Sequence, residues 1–581
     1  MSGSRSVPET NWSAESPRAW LYAAGVSFLT SFAILIPFFW LGTASGHDIQ
    51  FHIQSWIDAA GQWKEGILYP RWTEWANYGF GEPRFIFYPP LSWMLGGVLG
   101  SIFPWTWIPG LFVLVVQTFA GISVFALLRR LVGAFRVAIF GAALFAANPY
   151  ALVVIYMRSD FAELLASAFL PALLLVALRL GGYVAQDQSP RKSLVQFAVL
   201  FAAVWLSNAP AGVLTSYGLV LLFAWATLTE RSLRPALWGS TGIALGFGLA
   251  SFYLVPAAYE QRWVNISSAL ASGLSPAENF LFAHTNDTEH DAFNHIASYV
   301  AVVLIAGMIV AAALYRLRAA AQEQNRANAR VWPAVFALGA AASVMMLPVT
   351  NVLWSLLPKL RFVQFPWRWM GLLAVVFVIF VSASTARRMF VPTCVVTALL
   401  LALVAFYLVR HTWWDTEDVN SVREAVETRA GFEGTDEYDP LGDDHTDIPQ
   451  NQPEAKLIGA GESSPASKHV LQVQVIRWTA EDHVIAVRAS QPSTVRLRLL
   501  HHPAWQVTLD GKPAQTARTI SYDAILVPVP AGESRVEAHF QRTSDRAIGG
   551  IVSILAIGTA CVLAWYPKPK ARQVSNASGR S

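Results

Sequence analysis

The chain has 581 residues, of which 54% are hydrophobic and only 14% are charged. Soluble globular domains carry about 25% charged residues, so this composition excludes an ordinary soluble protein and indicates a chain largely embedded in a membrane. The net charge of +4 does not indicate nucleic-acid binding, because the bases lie in short turns between apolar blocks. The two cysteines, Cys394 and Cys561, lie inside apolar blocks, which excludes a disulfide framework or a cysteine metal cluster.

The first apolar block, Trp20–Leu41, is longer than the roughly 7–15-residue core of a cleaved signal peptide, and we interpret it as a retained membrane anchor. The later blocks have the ~17–23 residues that cross a ~30 Å hydrocarbon core. One of them, Leu194–Ser207, is short, and we expect Arg191 and Lys192 to lengthen it by extending their side chains to the interface. The predicted spans after the first are Thr106–Leu128, Val137–Ile155, Phe161–Leu180, Leu194–Ser207, Gly212–Thr227, Ala236–Val255, Ile296–Tyr315, Val331–Leu347, Met370–Ala386, Phe390–Val409 and Ile548–Trp565.

The segment Leu91–Phe103 determines on which side of the membrane the later loops lie. It is about 13 residues long, follows Pro89-Pro90 and precedes Pro104, which is typical of a helix that dips into one leaflet. If it dips, every basic turn faces the cytoplasm, as the positive-inside rule requires. We therefore predict about twelve crossings of a bacterial inner membrane, with both termini cytoplasmic. The basic turns contain Arg129, Arg130, Arg136, Arg179, Arg191, Lys192, Arg231, Arg234, Arg316, Arg318, Arg326, Arg330, Arg387, Arg388, Lys568, Lys570 and Arg572.

The exported segments under this threading are residues 42–90, 257–295, 348–368 and 411–546. In the last of them, apolar and polar residues alternate along Val495–Leu499, and turn signals such as Asp510-Gly511 separate such runs, which indicates an antiparallel β-sandwich. The predicted fold class is an α-helical polytopic membrane protein with a C-terminal exported β-sandwich domain. Its predicted parts are a transmembrane domain over 1–410 with a first exported loop at 42–90, an acidic exported linker at 411–466, a periplasmic or extracellular β-sandwich at 467–546, and a final span with a cytoplasmic tail at 547–581.

The first exported segment begins with His47 and Asp48 and continues into a run whose apolar residues recur at helical spacing from Ile49 to Trp63. This spacing predicts an amphipathic helix in the outer interface, with His52 one turn after Asp48 on the same face. Asp48 is then either a helix N-cap or a chemically active carboxylate beside a histidine.

A second group, Arg158, Asp160 and Glu163, lies at the outer end of two consecutive predicted spans. Asp160 at a helix start is explained by capping and the helix dipole. Glu163 is not, because a lipid-facing carboxylate inside the apolar slab costs ~2.5 kcal/mol or more. We therefore expect Glu163 to face a polar cavity or a partner such as Arg158.

A third group, from Lys359 to Trp369, precedes an inward-going span and contains Arg361, Gln364 and Arg368. Its aromatic and basic residues are either an interfacial belt with extended arginines or a phosphate-binding set, since the arginine fork donates two parallel hydrogen bonds. Arg71 and Arg84, in the first loop, face the same leaflet and are candidates to join them.

The exported segment 257–295 is rich in histidines and acids, which suggests either a metal site or a solvated polar loop. Their spacing fits no compact zinc motif, and we favour the solvated loop. No nucleotide-binding motif occurs, and the predicted cytoplasmic loops are too short to form a nucleotide-binding domain. The residues concerned are Glu260, Arg262, His284, Asp287, Glu289, His290, Asp291 and His295.

These features together resemble the GT-C class of membrane glycosyltransferases. The residues that carry the resemblance are an acid soon after the first span, Phe87-Tyr88-Pro89-Pro90-Leu91, the basic turn Leu127–Gly133 and Asn148-Pro149-Tyr150. More narrowly, the chain resembles the bacterial membrane family called "6-pyruvoyl-tetrahydropterin synthase related", and its sandwich resembles the exported tail of YfhO-type proteins. The matching segments are His47-Asp48 with His52, Gly66–Trp72, Arg158–Glu163, Gln364–Arg368, Gly434–Pro440 and His502–Lys512.

The resemblance implies that a polyprenyl-phosphate sugar enters from the outer leaflet and is transferred to an envelope glycan, lipid or protein. It implies that Asp48, with His47, is the general base, and that Asp160 and Glu163 take a second acidic position that binds a divalent cation such as Mg²⁺ or Mn²⁺ in some members and orients the acceptor in others. The substrate-binding residues it implies are His52, Arg71, Arg84, Arg158, Arg361, Gln364 and Arg368.

Two other functions fit the same sequence. A transporter or flippase of a lipid-linked sugar needs polar residues along several spans, whereas the polar groups here gather at the outer face. A non-catalytic envelope scaffold would use the β-domain to bind a sugar or a partner and would make Asp48 replaceable.

Overall fold

The computed structural model describes residues 15–185, 189–321, 330–441, 448–458 and 472–565. Within these ranges nine helices are long and apolar enough to cross a membrane, or eleven if two sharply bent helix pairs each form one span. A β-sandwich follows the helix bundle, and one more apolar helix follows the sandwich. The predicted fold class is therefore confirmed. The basic residues Arg326, Lys568, Lys570 and Arg572 lie outside the described residues.

The helices follow the apolar blocks closely, and Phe161–Leu180 has the predicted bounds. The fifth predicted span, Leu194–Ser207, lies in the helix Pro190–Ser207, which carries Arg191 and Lys192 in its first turn, so its apolar part is shorter than the helix itself. The other long helices are Pro17–Ile34, Ile108–Leu131, Phe135–Ala146, Ala209–Glu230, Arg234–Leu249, Ser251–Glu260, Thr288–Ala321, Val331–Met345, Met370–Ser384, Phe390–His411 and Ser544–Trp565. Shorter helices are Phe38–Leu41, Ala76–Gly79, Arg84–Phe87, Pro149–Val153 and Asn351–Leu356.

One predicted straight span is bent, and another ends at a sharp turn. The block predicted as Ala236–Val255 turns by 76° after Leu249. At this bend Ser553, in the last helix, accepts a hydrogen bond from the Phe252 N–H at 2.9 Å and donates to the Gly248 carbonyl at 3.0 Å. A side chain inserted into the backbone ladder is a recognised cause of a kink. The helix Val331–Met345 turns by 90° before Pro348, whose ring prevents a continuous helix.

The span predicted as Val137–Ile155 is interrupted after Ala146. Asn148 caps a new helical segment by accepting hydrogen bonds from the N–H groups of Tyr150 and Ala151, both at 3.1 Å. This segment continues as a wide helical turn, Val154–Arg158, and ends at Ser159, whose φ is 53°. Arg158, the last residue of this turn, is buried.

The short apolar helix Pro90–Ile102 packs against the first-loop helix Ile49–Lys64. Thirteen residues of helix rise only about 20 Å at 1.5 Å each, which is less than the ~30 Å hydrocarbon core. Gly96 makes the close packing possible, since a Cβ there would lie 2.3 Å from the Trp56 ring. The helix predicted after Asp48 is present as Ile49–Lys64. Residues 52–60 are buried on all faces, so it is a packed helix rather than one that lies in the interface, because the neighbouring segments cover its polar side as well.

The β-sandwich consists of two antiparallel sheets. In one sheet the strands lie in the order Ala455–Ile458, Ser493–Leu500, Ala524–Val529 and Ala517–Arg518. In the other sheet they lie in the order Gln472–Thr479, Asp482–Ala489, Gly532–Phe540, Trp505–Leu509 and Lys512–Pro513. The described residues of the predicted linker, 411–441 and 448–458, are not irregular throughout, because they contain the helix Asp418–Glu427 and the strand Ala455–Ile458. A two-residue strand, Thr43–Ala44, also pairs with Trp414–Asp415 and connects this region to the first loop.

The two ends of the helix bundle differ in what they hold. The helix Phe161–Leu180 begins beside Asp160 and ends beside Arg179. At its first end Arg158 contacts Asp48 of the first exported segment. At the other end the basic turns meet, since Arg130 donates a hydrogen bond to the carbonyl of residue 185 at 2.6 Å. The predicted exported segments and the basic turns thus lie at opposite ends of the same helices.

Candidate active site at the exported end of the bundle

A cavity of about 550 Å³ lies where the segments predicted to be exported meet at one end of the helix bundle. The first loop and residues 435–438 of the acidic segment form parts of its wall, together with the ends of several spans. Its lining mixes charged and aromatic side chains, which is typical of a ligand-binding site. The lining includes His47, Asp48, Phe51, Tyr88, Arg158, Asp160, Asn208, Gln261, His290, Phe293, Gln364, Phe365, Trp367, Arg368, Glu437 and Tyr438.

Arg158 is the centre of the charged part of this site. Its guanidinium lies 2.9 Å from the Asp48 carboxylate, 3.1 Å from Asp160 and 2.6 Å from Glu163. The face of the guanidinium lies 4.9 Å from the centre of the Trp367 ring. Charge-assisted hydrogen bonds and the aromatic face together hold this buried cation in one orientation.

The backbone of the first loop is docked directly onto the turn that carries Arg158. The Asp48 N–H donates to the Arg158 carbonyl at 2.9 Å, and the Gly46 N–H donates to the Ser159 hydroxyl at 3.1 Å. The Ser159 hydroxyl in turn donates to the Ala44 carbonyl at 2.8 Å. Gly46 is required by this docking, because a Cβ there would lie 2.4 Å from the carbonyl carbon of Arg158.

A second arginine completes the cluster. Arg368 lies 3.1 Å from Glu163 and 3.4 Å from Asp160, and it donates to the Val363 carbonyl at 3.0 Å. Tyr150 forms a short hydrogen bond to Glu163. The expectation that Glu163 faces a partner such as Arg158 is met. Three carboxylates and two guanidinium groups leave the cluster with a formal charge of −1.

The three carboxylates differ in their access to the cavity. The side chain of Asp48 is 37% exposed, whereas those of Asp160 and Glu163 are 5% and 4% exposed. Although Asp48 is at the N-cap position of the helix Ile49–Lys64, its side chain forms no capping hydrogen bond. Asp160 does cap the next span, accepting from the Glu163 N–H at 2.9 Å. Asp48 is therefore the acid of this cluster that a substrate can reach.

The surroundings shift the pKa values of several groups in the site. Burial opposes ionisation of Asp160, but Arg158, His52 and Arg368 outweigh it and hold the pKa of this carboxyl well below its usual range. Partial desolvation lowers the pKa of His47, whose side chain is still exposed to the cavity, and Arg158 adds to this effect while Asp48 opposes it. At neutral pH Asp160 is therefore ionised and His47 is neutral.

Glu437 brings a further carboxyl to the cavity from the opposite, acidic segment. Burial raises the pKa of Glu437 to about 7, and the nearby Glu82 adds to the rise. Its neighbour Tyr438 stacks on Phe87, with ring centres 5.6 Å apart. The segment around Glu437 had been identified only through the resemblance of Gly434–Pro440, and no spacing in the sequence indicates that it covers the cavity.

The structure brings together most of the predicted site residues. His47, Asp48, Arg158, Asp160, Gln364 and Arg368 all line the cavity. Glu163 lies behind the two arginines, and His52 is buried 3.8 Å from Asp160. Gln364 has a φ of 67° and donates its side-chain amide to the Ala269 carbonyl at 2.8 Å.

Three arginines predicted to hold a phosphate lie elsewhere. Arg84 is fully buried and bonds to Glu82 at 2.6 Å, so it neutralises an internal acid. Arg361 is exposed and lies over the Phe362 ring, outside the cavity lining. Arg71 lies on a separate, smaller cavity. The sequence places these side chains on the same side of the membrane but does not determine which way they point.

The interpretation of residues 257–295 as a solvated polar loop is wrong in two places. Glu260 is fully buried and accepts two hydrogen bonds from Arg546, at 2.6 and 2.7 Å. The span predicted to begin at Ile296 begins instead at Thr288, so that His290 and Phe293 lie on a helix and line the cavity. The hydropathy pattern did not indicate this extension, because the first turns of the helix consist mainly of polar residues.

The site residues do not fit a divalent cation. Asp48, Asp160 and Glu163 already bind two guanidinium groups, which a metal ion would have to displace from a buried position. Throughout the described ranges, no group of three or more His, Cys, Asp or Glu side chains is arranged to hold a metal ion. We derive no chemical step that needs one.

Comparison with known proteins finds one similar solved structure, the arabinofuranosyltransferase AftD from mycobacteria. The two chains are 18% identical with a TM-score of 0.38, and the match covers 69% of this chain. It covers only 27% of that chain, so this protein corresponds to about a quarter of its length. No family model and no curated protein matches the sequence. The narrower resemblance to the pterin-synthase-related and YfhO-type families therefore stays a prediction.

Proposed function

We propose that this protein is a membrane glycosyltransferase that moves a sugar from a polyprenyl-phosphate donor to an acceptor hydroxyl at the exported face of the bacterial inner membrane. The observation that carries the proposal is the position of Asp48. It is a carboxylate open to a 550 Å³ cavity, and it is held in place by a buried arginine that also binds two other acids. A sugar headgroup fits the usual size of such a ligand site, about 300–1,000 Å³.

Asp48 acts as the general base in this proposal. One of its oxygens, Oδ2, is bound by Arg158, and within the described residues no group donates a hydrogen bond to Oδ1. An acceptor hydroxyl that donates to Oδ1 transfers its proton to Asp48 while its oxygen attacks the anomeric carbon. The bond from that carbon to the phosphate oxygen breaks, and the polyprenyl phosphate leaves with the bonding electrons.

Arg158 couples the two halves of this step. Before the substrate binds, the three carboxylates and two guanidinium groups of the cluster have a formal charge of −1, so the cluster does not by itself attract a phosphate. When Asp48 takes up the acceptor's proton, Arg158 loses one carboxylate partner. Its guanidinium is then available to the phosphate at the moment when negative charge develops there, which is the condition for transition-state stabilisation. Arg368, which also lines the cavity, contributes a second fixed cation.

Aromatic side chains supply the surfaces on which a sugar ring packs. Tyr88 and Tyr438 lie on one part of the lining, and Phe293 and Trp367 on another. Phe293 and Trp367 contact each other edge to face, with ring centres 5.7 Å apart, and Phe293 also packs against His47. Such surfaces bury the apolar faces of a sugar and leave its hydroxyls to polar side chains.

The Asp48→Asn variant tests the proposal. It removes the base but keeps the shape of the side chain, and loss of a general base lowers the rate by about 10²- to 10⁴-fold. The matched control is Asp58→Asn in the same helix, whose buried carboxyl has its pKa raised to about 7 by burial and lies outside the cavity lining. We expect the control to retain transfer, and a fully active Asp48→Asn enzyme would remove Asp48 from the mechanism.

Mass spectrometry of envelope glycans from a gene-deletion strain supplies the assay. We expect one sugar to be missing, to return with the wild-type gene, and to stay missing with Asp48→Asn. The alternative of a lipid-linked sugar transporter predicts that the deletion traps the donor in the inner leaflet. The transferase predicts that the donor accumulates in the outer leaflet. A scaffold predicts that Asp48→Asn restores the glycan fully.

The proposed side of the reaction is tested by cysteine labelling in a background that lacks the two native cysteines. Ile520 in the β-sandwich is fully exposed, and Leu233 in a basic turn is 71% exposed. We expect a membrane-impermeant maleimide to label Ile520→Cys in intact cells and Leu233→Cys only after the cells are opened. Equal labelling of both in intact cells would contradict the threading.

A further inference from the structure

A second cavity, of about 170 Å³, lies beside the first but does not belong to the proposed transfer site. The helix Ser251–Glu260 separates the two, since Pro256 lines the smaller cavity and Ala257 lines the larger one. Tyr253 strengthens the wall by donating a hydrogen bond to the Phe87 carbonyl at 2.6 Å. The smaller cavity is lined by Tyr69, Arg71, Phe85, Ile86, Phe252, Tyr253, Pro256, Arg542, Arg546 and Gly550.

All the charged side chains that line this cavity are arginines. Arg546 is neutralised by the buried Glu260 behind it. Arg71 makes two long contacts, 3.5 Å to Glu481 and 3.4 Å to the Tyr69 carbonyl, and lies over the Tyr69 ring. The Arg71 and Glu481 side chains are both partly exposed, so this ion pair contributes little. Within the described residues Arg542 has no hydrogen bond and no ion pair. The lining therefore presents cationic groups whose hydrogen-bonding capacity is not used.

The acids near the cavity do not line it. Glu260 is occupied by Arg546, and the buried Asp545 lies outside the lining, where neither of its oxygens has a hydrogen-bond partner among the described residues. Glu481 likewise contacts Arg71 from outside the lining. An anion in the cavity would thus meet guanidinium groups first, with the carboxylates behind them.

Arg542 lies beside a glycine of the final helix. Its guanidinium lies against Gly550, where an added Cβ would be only 2.9 Å from Nη2. The Arg542 side chain is exposed, so Gly550 gives the guanidinium room at the cavity without fixing its position. Arg542 precedes the helix Ser544–Trp565 by two residues, which is the depth of the lipid headgroups for a span that begins there.

The rest of the lining is mainly aromatic and apolar. Tyr69 and Phe252 contact each other edge to face with ring centres 5.8 Å apart. Next to them on the final helix, Ile548 and Ile551 are 55% and 58% exposed, as expected of side chains that contact acyl chains. A site with arginines on one side and aromatic groups on the other suits an ester of phosphate with an apolar body.

We propose that this cavity binds the phosphate headgroup of an anionic membrane lipid from the outer leaflet. The phosphate accepts hydrogen bonds from Arg542 and Arg71, and the first carbons of the acyl chains lie against Phe252 and the final helix. A lipid held there connects the final span, the helix Ser251–Glu260 and the first loop. The inference does not depend on glycosyl transfer, because it concerns binding alone.

Native mass spectrometry of the full chain in detergent tests the proposal, with phosphatidylglycerol, phosphatidylcholine and inorganic phosphate as the probes. We expect phosphatidylglycerol to bind, and Arg542→Gln to weaken it at least about tenfold, since one charge-assisted hydrogen bond is lost. Gly550→Leu fills the same space without removing a charge and gives the same weakening. Arg488→Gln, an exposed arginine on the sandwich with a 3.9 Å contact to Glu533, is the matched control and leaves binding unchanged.

Three results would overturn the proposal. Equal binding of phosphatidylglycerol by the wild type and by both cavity variants would show that the lipid binds elsewhere. Inorganic phosphate that binds as tightly as the lipid would show that the apolar lining has no part in binding. Equal weakening by the Arg488 control would show that only the overall charge matters.

Discussion

Replacing Arg158 by methionine tests the charge balance of the site most directly. In the wild type three carboxylates face two guanidinium groups. Without Arg158, Asp160 and Glu163 remain buried with Arg368 as the one cation of the cluster. Removing one partner from a buried ion pair costs about 3–5 kcal/mol, because the remaining charge is left uncompensated. We expect Arg158→Met to lower the free energy of unfolding by that amount.

The Glu163→Gln variant should cost less than Arg158→Met. It leaves two carboxylates facing two guanidinium groups. The glutamine keeps a side-chain oxygen that can accept a hydrogen bond from Arg158, which lies 2.6 Å from Glu163 in the wild type. The expected loss is about 1.5–3 kcal/mol, the usual contribution of a charged hydrogen bond. In the double variant the charge imbalance of Arg158→Met is partly relieved, so the two losses should not add.

The assay is unfolding in mixed detergent and dodecyl sulfate micelles, followed by the fluorescence of the 23 tryptophans. We expect the double variant to be more stable than the sum of the single losses by about 0.5–3 kcal/mol, the range for directly interacting residues. Additivity within about 0.5 kcal/mol would refute the reasoning, and so would a Glu163→Gln variant less stable than Arg158→Met.

Two further predictions concern the docking of the exported segments. Gly46→Ala places a Cβ against the backbone of the Arg158 turn, so it should lower the free energy of unfolding by about 1–3 kcal/mol and also reduce transfer activity. In the control Gly61→Ala the added Cβ meets no atom within 4 Å, so stability and activity should both be unchanged. Equal effects of the two variants in the same unfolding assay would contradict this prediction. Burial raises the pKa of Glu437 to about 7 and that of Asp439 to about 8, above their ordinary values of 4.5 and 3.8. Their contribution to stability is therefore complete below those ordinary values and is lost as the pH rises through 7 to 8. Hydrogen exchange of residues 434–440, corrected for intrinsic rates, should show less protection at about pH 8.5 than at about pH 5.5, and protection that increases with pH would exclude this assignment.

The helices and strands were largely predictable because their signals are local. The first-loop helix after Asp48 and the span Phe161–Leu180 follow from apolar spacing and length. The strand Ser493–Leu500 follows from alternation. The bend after Leu249 was not predictable, because the hydrogen bonds that stabilise it come from Ser553, about three hundred residues later in the chain.

Some of the ion pairs could likewise be predicted from the sequence, whereas others required the tertiary structure. That Glu163 needs a partner follows from the cost of a carboxylate in lipid, and Arg158 is only five residues away. The second partner of Glu163, Arg368, and the burial of Glu260 against Arg546 required the fold. The partners of a side chain depend on its depth in the membrane and on the direction in which it points from its helix. Hydropathy indicates only the depth.

The amino-acid sequence alone determines that the chain crosses a membrane many times, and it groups the acids and the basic turns at opposite ends of the helices. Length, apolarity and charge asymmetry act along the chain, so they can be read without knowing which helices touch. The tertiary structure determines that the Asp48 side chain is partly exposed to the cavity while those of Asp160 and Glu163 are buried. It also determines that Arg71 lines a second cavity. These outcomes depend on contacts between segments hundreds of residues apart, which no local pattern encodes.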